Sequence, residues 1–237
     1  MSMLNASAQH VWDHHFWGPV TATLDWCEAN YQFTRYIAEA ANTISNLVTM
    51  GLALYGAYLV KDANMPGRFL AGWTGFALVG LGSFIFHATL QYEAQLADEL
   101  PMIYVASYCT AVLFDLQPGF SINNARSRLI ITLFLAFNIL FTWVYALSRN
   151  PVFHQITFGV VMLTTGARTV YVLRYMPEAN ARIPPQARSD IVKLFGSGAV
   201  TFALGFILWN LDNIFCNRVT EWKHQLGWPL AFLLEAL

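Results

Sequence analysis

The fold is decided by residues 75–106, GFALVGLGSFIFHATLQYEAQLADELPMIYVA, in which two apolar runs flank a short polar stretch. Ser83 and His87 are four residues apart, so on a helix they share one face and lie one turn apart. Asp98 lies at the start of the second apolar run. Ionisable side chains are costly in the hydrocarbon of a bilayer, so these residues are candidate functional residues. A hydroxyl, an imidazole and a carboxylate together indicate hydrolysis, either at a metal or by a serine nucleophile.

The composition of the chain indicates a membrane protein. Of its 237 residues, 56% are hydrophobic and only 11% are charged, whereas a typical soluble domain has about 25% charged residues. We therefore expect the lipid bilayer to be a partner of the chain. The net charge of −1 gives no reason to expect a nucleic-acid partner.

The apolar runs predict an all-α polytopic helix bundle, because roughly 20 apolar residues span a bilayer as a helix. A seventh run, PLAFLLEAL from Pro229, is too short to span. We predict one membrane domain over 1–237, with an N-terminal segment at 1–36 and the bundle at 37–237. The six predicted spans are 37–60, 69–90, 99–116, 128–147, 152–173 and 194–212.

The lysines and arginines predict how the chain is oriented, because basic residues favour the cytosolic side. The 1–2, 3–4 and 5–6 connections carry most of them. This distribution places the N-terminus outside or in the lumen. The basic residues of these connections are Lys61, Arg68, Arg126, Arg128, Arg174, Arg182, Arg188 and Lys193.

Carboxylates and an amide cluster just before the first span. Asp25, Glu28 and Asn30 lie within six residues, and Glu39 follows. Hard oxygen ligands of this kind suit calcium, although the spacing is not that of an EF-hand. The alternative is an acidic helix cap, with Asp25 or Asn30 capping and Glu28 solvated.

Motifs along nearly the whole chain, taken together, resemble the alkaline ceramidase family of seven-helix membrane hydrolases. They occur in the family's order from the N-terminal segment to the sixth span. These motifs are Phe16-Trp17-Gly18-Pro19, Leu24-Asp25-Trp26-Cys27-Glu28, Tyr36-Ile37-Ala38-Glu39, Asn42-Thr43-Ile44-Ser45-Asn46, Gly82-Ser83, Phe86-His87, Gln95-Leu96-Ala97-Asp98-Glu99-Leu100-Pro101-Met102 and Trp209-Asn210-Leu211-Asp212-Asn213.

The resemblance implies a hydrolase that cleaves the amide of ceramide to a sphingoid base and a fatty acid, and an endoplasmic-reticulum or Golgi location. It implies an intramembrane zinc with His87 as a ligand, and Ser83 and Asp98 as catalytic residues beside the zinc-bound water. It also implies a calcium site whose ligands would be Asp25, the Trp26 carbonyl, Glu28, Asn30 and Glu39.

The sequence departs from the family pattern at its C-terminal end. The family's other two zinc ligands are histidines four apart after a Leu-Leu-Glu segment, whereas here Ala236 and Leu237 follow Leu233-Leu234-Glu235. The only histidines four apart, His10 and His14, lie in the N-terminal tail. We therefore expect a C-terminally truncated ceramidase with an incomplete zinc site. The alternative is a non-catalytic membrane protein, either a regulatory or a receptor-like truncated relative.

Overall fold

A computed structural model describes residues 15–115, 121–177 and 183–227. From Ala40 onward the described residues are helical apart from the connections between helices. A single isolated bridge, between Thr34 and Ile37, is the sole extended pairing in the described part. The helices are α1 (Ala40–Asp62), α2 (Gly67–Thr89), α3 (Tyr92–Phe114), α4 (Ala125–Ser148), α5 (Pro151–Tyr175) and α6 (Pro185–Leu226).

The helices have the length and composition of a membrane bundle, which confirms the predicted fold class. Among the described residues, α1, α2, α4, α5 and α6 are long and apolar enough to cross a membrane. Helix α3 has 23 residues, but its first half carries Glu93, Asp98 and Glu99. It begins seven residues before the predicted span at 99–116, so both Asp98 and Glu99 lie inside the helix rather than at its cap.

Small residues let the first three helices approach closely, as they do in other membrane bundles. Helix α1 packs on α2, α2 on α3, and α3 on α4. A Cβ added at Gly56 of α1 would lie 2.4 Å from the Trp73 ring of α2. A Cβ added at Gly82 of α2 would lie 1.9 Å from the Ala97 carbonyl oxygen of α3. Only a residue without a side chain fits at either crossing.

The N-terminal segment, residues 15–39, folds against the C-terminal end of α2. The backbone amides of Thr21 and Ala22 donate to the Leu90 carbonyl, and the Ala38 amide donates to the Ala88 carbonyl at 3.0 Å. Tyr31 is buried and packs with Leu90 in a small apolar core. The segment is therefore held at the level where α1 begins and α2 ends.

The chain divides into two compact units, residues 1–165 and 166–237. The first contains the N-terminal segment, α1 to α4 and the first fifteen residues of α5. In the second, α6 is longer than the predicted span at 194–212 and is kinked at Phe215, where φ is −106° and ψ is 20°. The single domain over 1–237 stays a prediction. The predicted short run from Pro229 lies outside the described residues.

Candidate active site and calcium site

The three polar residues that the sequence singled out come together where α2 crosses α3. Ser83 and His87 lie one turn apart on α2, and the Ser83 side chain hydrogen-bonds the Asp98 side chain of α3. His87 lies near Asp98 at the same crossing. The close crossing at Gly82 brings the two helices to this distance.

A proline in α3 contributes to the same crossing. Pro101 has no N–H group, so it cannot bond the Ala97 carbonyl four residues earlier in the helix. That carbonyl is the group that faces Gly82. A glycine Cα–H against a carbonyl oxygen is a weak hydrogen bond that recurs between closely packed helices. The α2–α3 contact beside Ser83 and Asp98 is thus made from backbone atoms.

His87 is held by a buried carboxylate. Its Nδ1 pairs with Oε2 of Glu39, and the exposed fractions of the two residues are 5% and 0%. The Glu39 amide also donates to the His87 carbonyl at 2.9 Å. An ionised carboxylate only accepts hydrogen bonds, so Nδ1 is the atom that donates to an ionised Glu39, and Nε2 is the ring nitrogen left to hold a metal. A histidine oriented in this way by a carboxylate is typical of zinc sites.

Glu39 connects this histidine to the N-terminal segment. Its Oε1 accepts a hydrogen bond from the Trp26 amide at 3.1 Å, while Oε2 pairs with His87. Glu39 precedes the first residue of α1. Burial raises the pKa of its carboxyl, and the hydrogen bond to His87 opposes that shift. The Trp26 ring lies edge-on to the His87 ring, with 5.5 Å between their centroids.

Glu28 caps α1, which corrects the alternative in which Glu28 is solvated and Asp25 or Asn30 caps the helix. It is 5% exposed. Its Oε1 accepts from the Ala41 amide at 2.6 Å, and its Oε2 accepts from the backbone and side-chain amides of Asn42, each at 3.0 Å. A carboxylate at a helix N-terminus is also favoured by the helix dipole.

The remaining predicted calcium ligands contain an unsatisfied oxygen. The Asn30 side-chain amide donates to Oδ1 of Asp25 at 2.9 Å. Its own carbonyl oxygen, Oδ1, is buried and accepts no hydrogen bond within the part of the chain that the structure describes. Buried amide oxygens ordinarily have a partner. A hard cation beside Asp25 would satisfy this oxygen. Within the described residues, however, Asp25, Glu28 and Glu39 do not form a group of three carboxylates that could hold a metal ion. Both carboxylate oxygens of Glu28 and of Glu39 already accept or share hydrogen bonds.

The described residues do not complete a zinc site. Within the described ranges, no three His, Cys, Asp or Glu side chains form a group that could hold a metal ion. His87 is suited to be a single ligand, whereas a catalytic zinc has three protein ligands. The predicted departure after Glu235 concerns residues that lie outside the described ranges.

A second polar cluster was missed from the sequence. Glu99 is 5% exposed, and Oε2 of its carboxylate accepts from the Tyr145 hydroxyl of α4 and from the Gln95 side chain. His154 of α5 reaches the Glu99 carbonyl at 3.0 Å. The spacing of Gln95 and Glu99, four apart on a helix, was the only local signal. Their partners on α4 and α5 are remote in sequence.

The comparisons with known proteins identify the family of the chain. The Ceramidase family model matches residues 18–236, so the chain belongs to the Ceramidase family. It is 36% identical to mouse alkaline ceramidase 3, over 89% of this chain and 74% of that protein. It is 35% identical to the Saccharomyces cerevisiae alkaline ceramidase YPC1, over 92% and 71%. It is 30% identical to the Arabidopsis thaliana alkaline ceramidase, over 87% and 75%.

Proposed function

We propose that the chain is a membrane hydrolase that cleaves the amide bond of ceramide to a sphingoid base and a fatty acid. Family membership and relatives named alkaline ceramidase support this function over a non-catalytic, regulatory or receptor-like role. The observation that carries the proposal is the meeting of Ser83, His87 and Asp98 at one helix crossing. Each group has a use in amide hydrolysis.

The residues would act in distinct roles. Asp98 accepts a proton from the attacking water and returns it to the leaving nitrogen. Ser83 donates its hydroxyl proton to the ionised Asp98. Once Asp98 holds the proton from water, it can donate to the Ser83 oxygen, and the Ser83 hydroxyl is then free to donate to the carbonyl oxygen as negative charge develops there. His87 would be one ligand of a zinc ion. When bound, zinc would lower the pKa of water and polarise the carbonyl.

Calcium would have a structural or regulatory role in the N-terminal segment. Its ligands would come from Asp25, the Trp26 carbonyl, Glu28, Asn30 and Glu39. The unsatisfied Asn30 oxygen supports this site. Because Glu39 bonds both Trp26 and His87, an ion here would also restrain the histidine.

The proposed location and orientation of the protein are drawn from its helices and its family. The partners would be the lipid bilayer and the ceramide substrate, with the endoplasmic reticulum or Golgi as the membrane and a lumenal N-terminus. The five apolar helices support a multi-pass arrangement. The basic connections support the orientation.

Zinc content and ceramide turnover, measured on the same purified full chain, test the function. The protein is supplied with zinc and calcium, and the sphingoid base and fatty acid are quantified by mass spectrometry. About one zinc per chain and equal amounts of the two products would support the enzyme. A folded protein with no zinc and no product would support the non-catalytic alternative and reject the enzyme.

A further inference from the structure

Glu99 is a buried carboxylate that the proposed chemistry does not use. It lies one residue after Asp98, so its side chain projects about 100° away around the helix. Asp98 meets Ser83 on α2, whereas Glu99 meets Tyr145 on α4 and His154 on α5. Glu99 therefore does not reach the reacting groups, but it is fixed to the same turn of helix as Asp98.

The contacts of Glu99 join three helices. The Tyr145 hydroxyl and the Gln95 side-chain amide, the latter at 3.1 Å, both donate to its Oε2. Nε2 of His154 donates to the Glu99 backbone carbonyl at 3.0 Å, and Nδ1 lies 4.0 Å from Oε1. Glu99 thus has three oxygen atoms that face polar groups of α3, α4 and α5: the two of its carboxylate and the one of its backbone carbonyl.

Gln95 extends the same network to the N-terminal segment. Its Oε1 accepts from the Thr23 amide at 2.8 Å, and its Nε2 donates to the Thr23 hydroxyl at 2.8 Å. Gln95 is fully buried, so its hydrogen bonds to Thr23 are shielded from solvent. Thr23 lies two residues before Asp25, in the segment that carries the candidate calcium ligands.

The first half of α3 depends on such contacts. Pro101 removes one backbone hydrogen bond, the one to the Ala97 carbonyl, from this part of the helix. Burying a carboxylate in an apolar bundle is unfavourable in free energy, so the hydrogen bonds to Glu99 must offset that unfavourable term. The contacts of Glu99 link α3, α4 and α5 beside the turn of α3 that lacks a hydrogen bond because of Pro101.

We infer that Glu99 is a positioning residue: through Tyr145, Gln95 and His154 it fixes the turn of α3 that presents Asp98 to Ser83. The inference rests on the proposed ceramide hydrolysis. It predicts that loss of a Glu99 contact lowers kcat and leaves KM unchanged, because the substrate-binding surface is untouched while Asp98 is displaced. A misplacement of about 1 Å at a catalytic group costs on the order of a hundredfold in rate.

Three variants of the full chain test this inference. Tyr145→Phe removes one donor to Glu99. Glu99→Gln keeps the shape of the side chain and an acceptor oxygen for Tyr145, so it is the conservative variant. The matched control is Tyr104→Phe, which removes a phenol that also joins α3 to α4, through Thr142 at 2.6 Å, but lies a turn and a half further along α3.

Two measurements are made on each variant in detergent: backbone hydrogen–deuterium exchange of residues 92–100, and ceramide turnover. For Tyr145→Phe we expect faster exchange in residues 92–100 and a kcat lower by about tenfold or more, at unchanged KM. For Tyr104→Phe and Glu99→Gln we expect exchange in residues 92–100 and kcat close to those of the unaltered chain.

The outcomes separate the inference from the proposed function. If Tyr145→Phe and Tyr104→Phe change exchange in residues 92–100 equally, Glu99 does not fix this turn and the inference is wrong. If exchange rises in Tyr145→Phe while kcat is unchanged, the network is structural only. If the unaltered chain does not hydrolyse ceramide, the proposed function fails, and the exchange comparison still decides whether Glu99 holds the Asp98 turn.

Discussion

The crossing of α2 and α3 at Gly82 sets the geometry of the candidate active site, and Gly82→Ala tests this directly. The added Cβ would lie 1.9 Å from the Ala97 carbonyl oxygen and 2.9 Å from the Asp98 amide nitrogen. An ordinary carbon–oxygen contact is about 3.3 Å, so the helices have to separate by roughly 1.4 Å at this point. Neither obstacle is the end of a flexible side chain, so local rotation cannot relieve the clash.

The expected effect is larger on catalysis than on folding. Overpacking of a well-packed contact costs about 1–3 kcal/mol of stability. Separation of Ser83 from Asp98 by more than 1 Å breaks their hydrogen bond, and kcat should fall on the order of a hundredfold. Steady-state ceramide hydrolysis, normalised to folded protein from size-exclusion chromatography, measures this fall.

Gly72→Ala is the matched control for Gly82→Ala. It makes the same substitution on the same helix, but the added Cβ would lie 3.9 Å from the nearest neighbouring atom, on the Tyr108 ring. Alanine favours a helix over glycine by about 0.5–1 kcal/mol, so this variant should be at least as stable as the unaltered chain. If both variants turn over ceramide at the same rate per folded molecule, the argument that Gly82 sets the Ser83–Asp98 geometry is refuted.

Three further substitutions test single residues of the site. Ser83→Ala should lower kcat by about 10²–10³ because one donor to the developing oxyanion is lost; accumulation of an acyl group on Ser83 in the unaltered chain would instead make it a nucleophile. Asn30→Ala should weaken calcium binding, measured by titration calorimetry, because the unsatisfied Asn30 oxygen is removed, and an unchanged dissociation constant would exclude Asn30 from the site. Glu39→Ala should lower zinc affinity about 10- to 100-fold because His87 loses the carboxylate that orients it; equal zinc retention during dialysis against a chelator would show that the pairing does not matter.

The helical fold was predictable from the sequence because long apolar runs are a strong local signal. The start of α3 was not predictable in this way, because Gln95, Asp98 and Glu99 interrupt the apolar pattern in the first half of the helix. Their polar groups are satisfied by Ser83, Tyr145 and Thr23, which lie on other elements. A pattern read along one segment cannot reveal such partners.

The candidate site was predictable in part. The four-residue spacing of Ser83 and His87 predicts one helix face, and the helix confirms that arrangement. The pairing of His87 with Glu39 joins residues 48 positions apart and has no local signature. Glu28 was expected to be solvated in the capping alternative, but the fold brings it onto the free amides at the start of α1. Only a tertiary contact determines that role.

The most direct test of the account is the rate of ceramide hydrolysis by the full chain and by its Asp98→Asn variant, both supplied with zinc and calcium. Asparagine has nearly the shape of aspartate and still accepts the Ser83 hydrogen bond, but it cannot take a proton from water. We expect the unaltered chain to release fatty acid and sphingoid base, and the variant to do so at least about 10²-fold more slowly at equal folded protein. Equal rates for the two proteins would contradict the role of Asp98 and the site built around it.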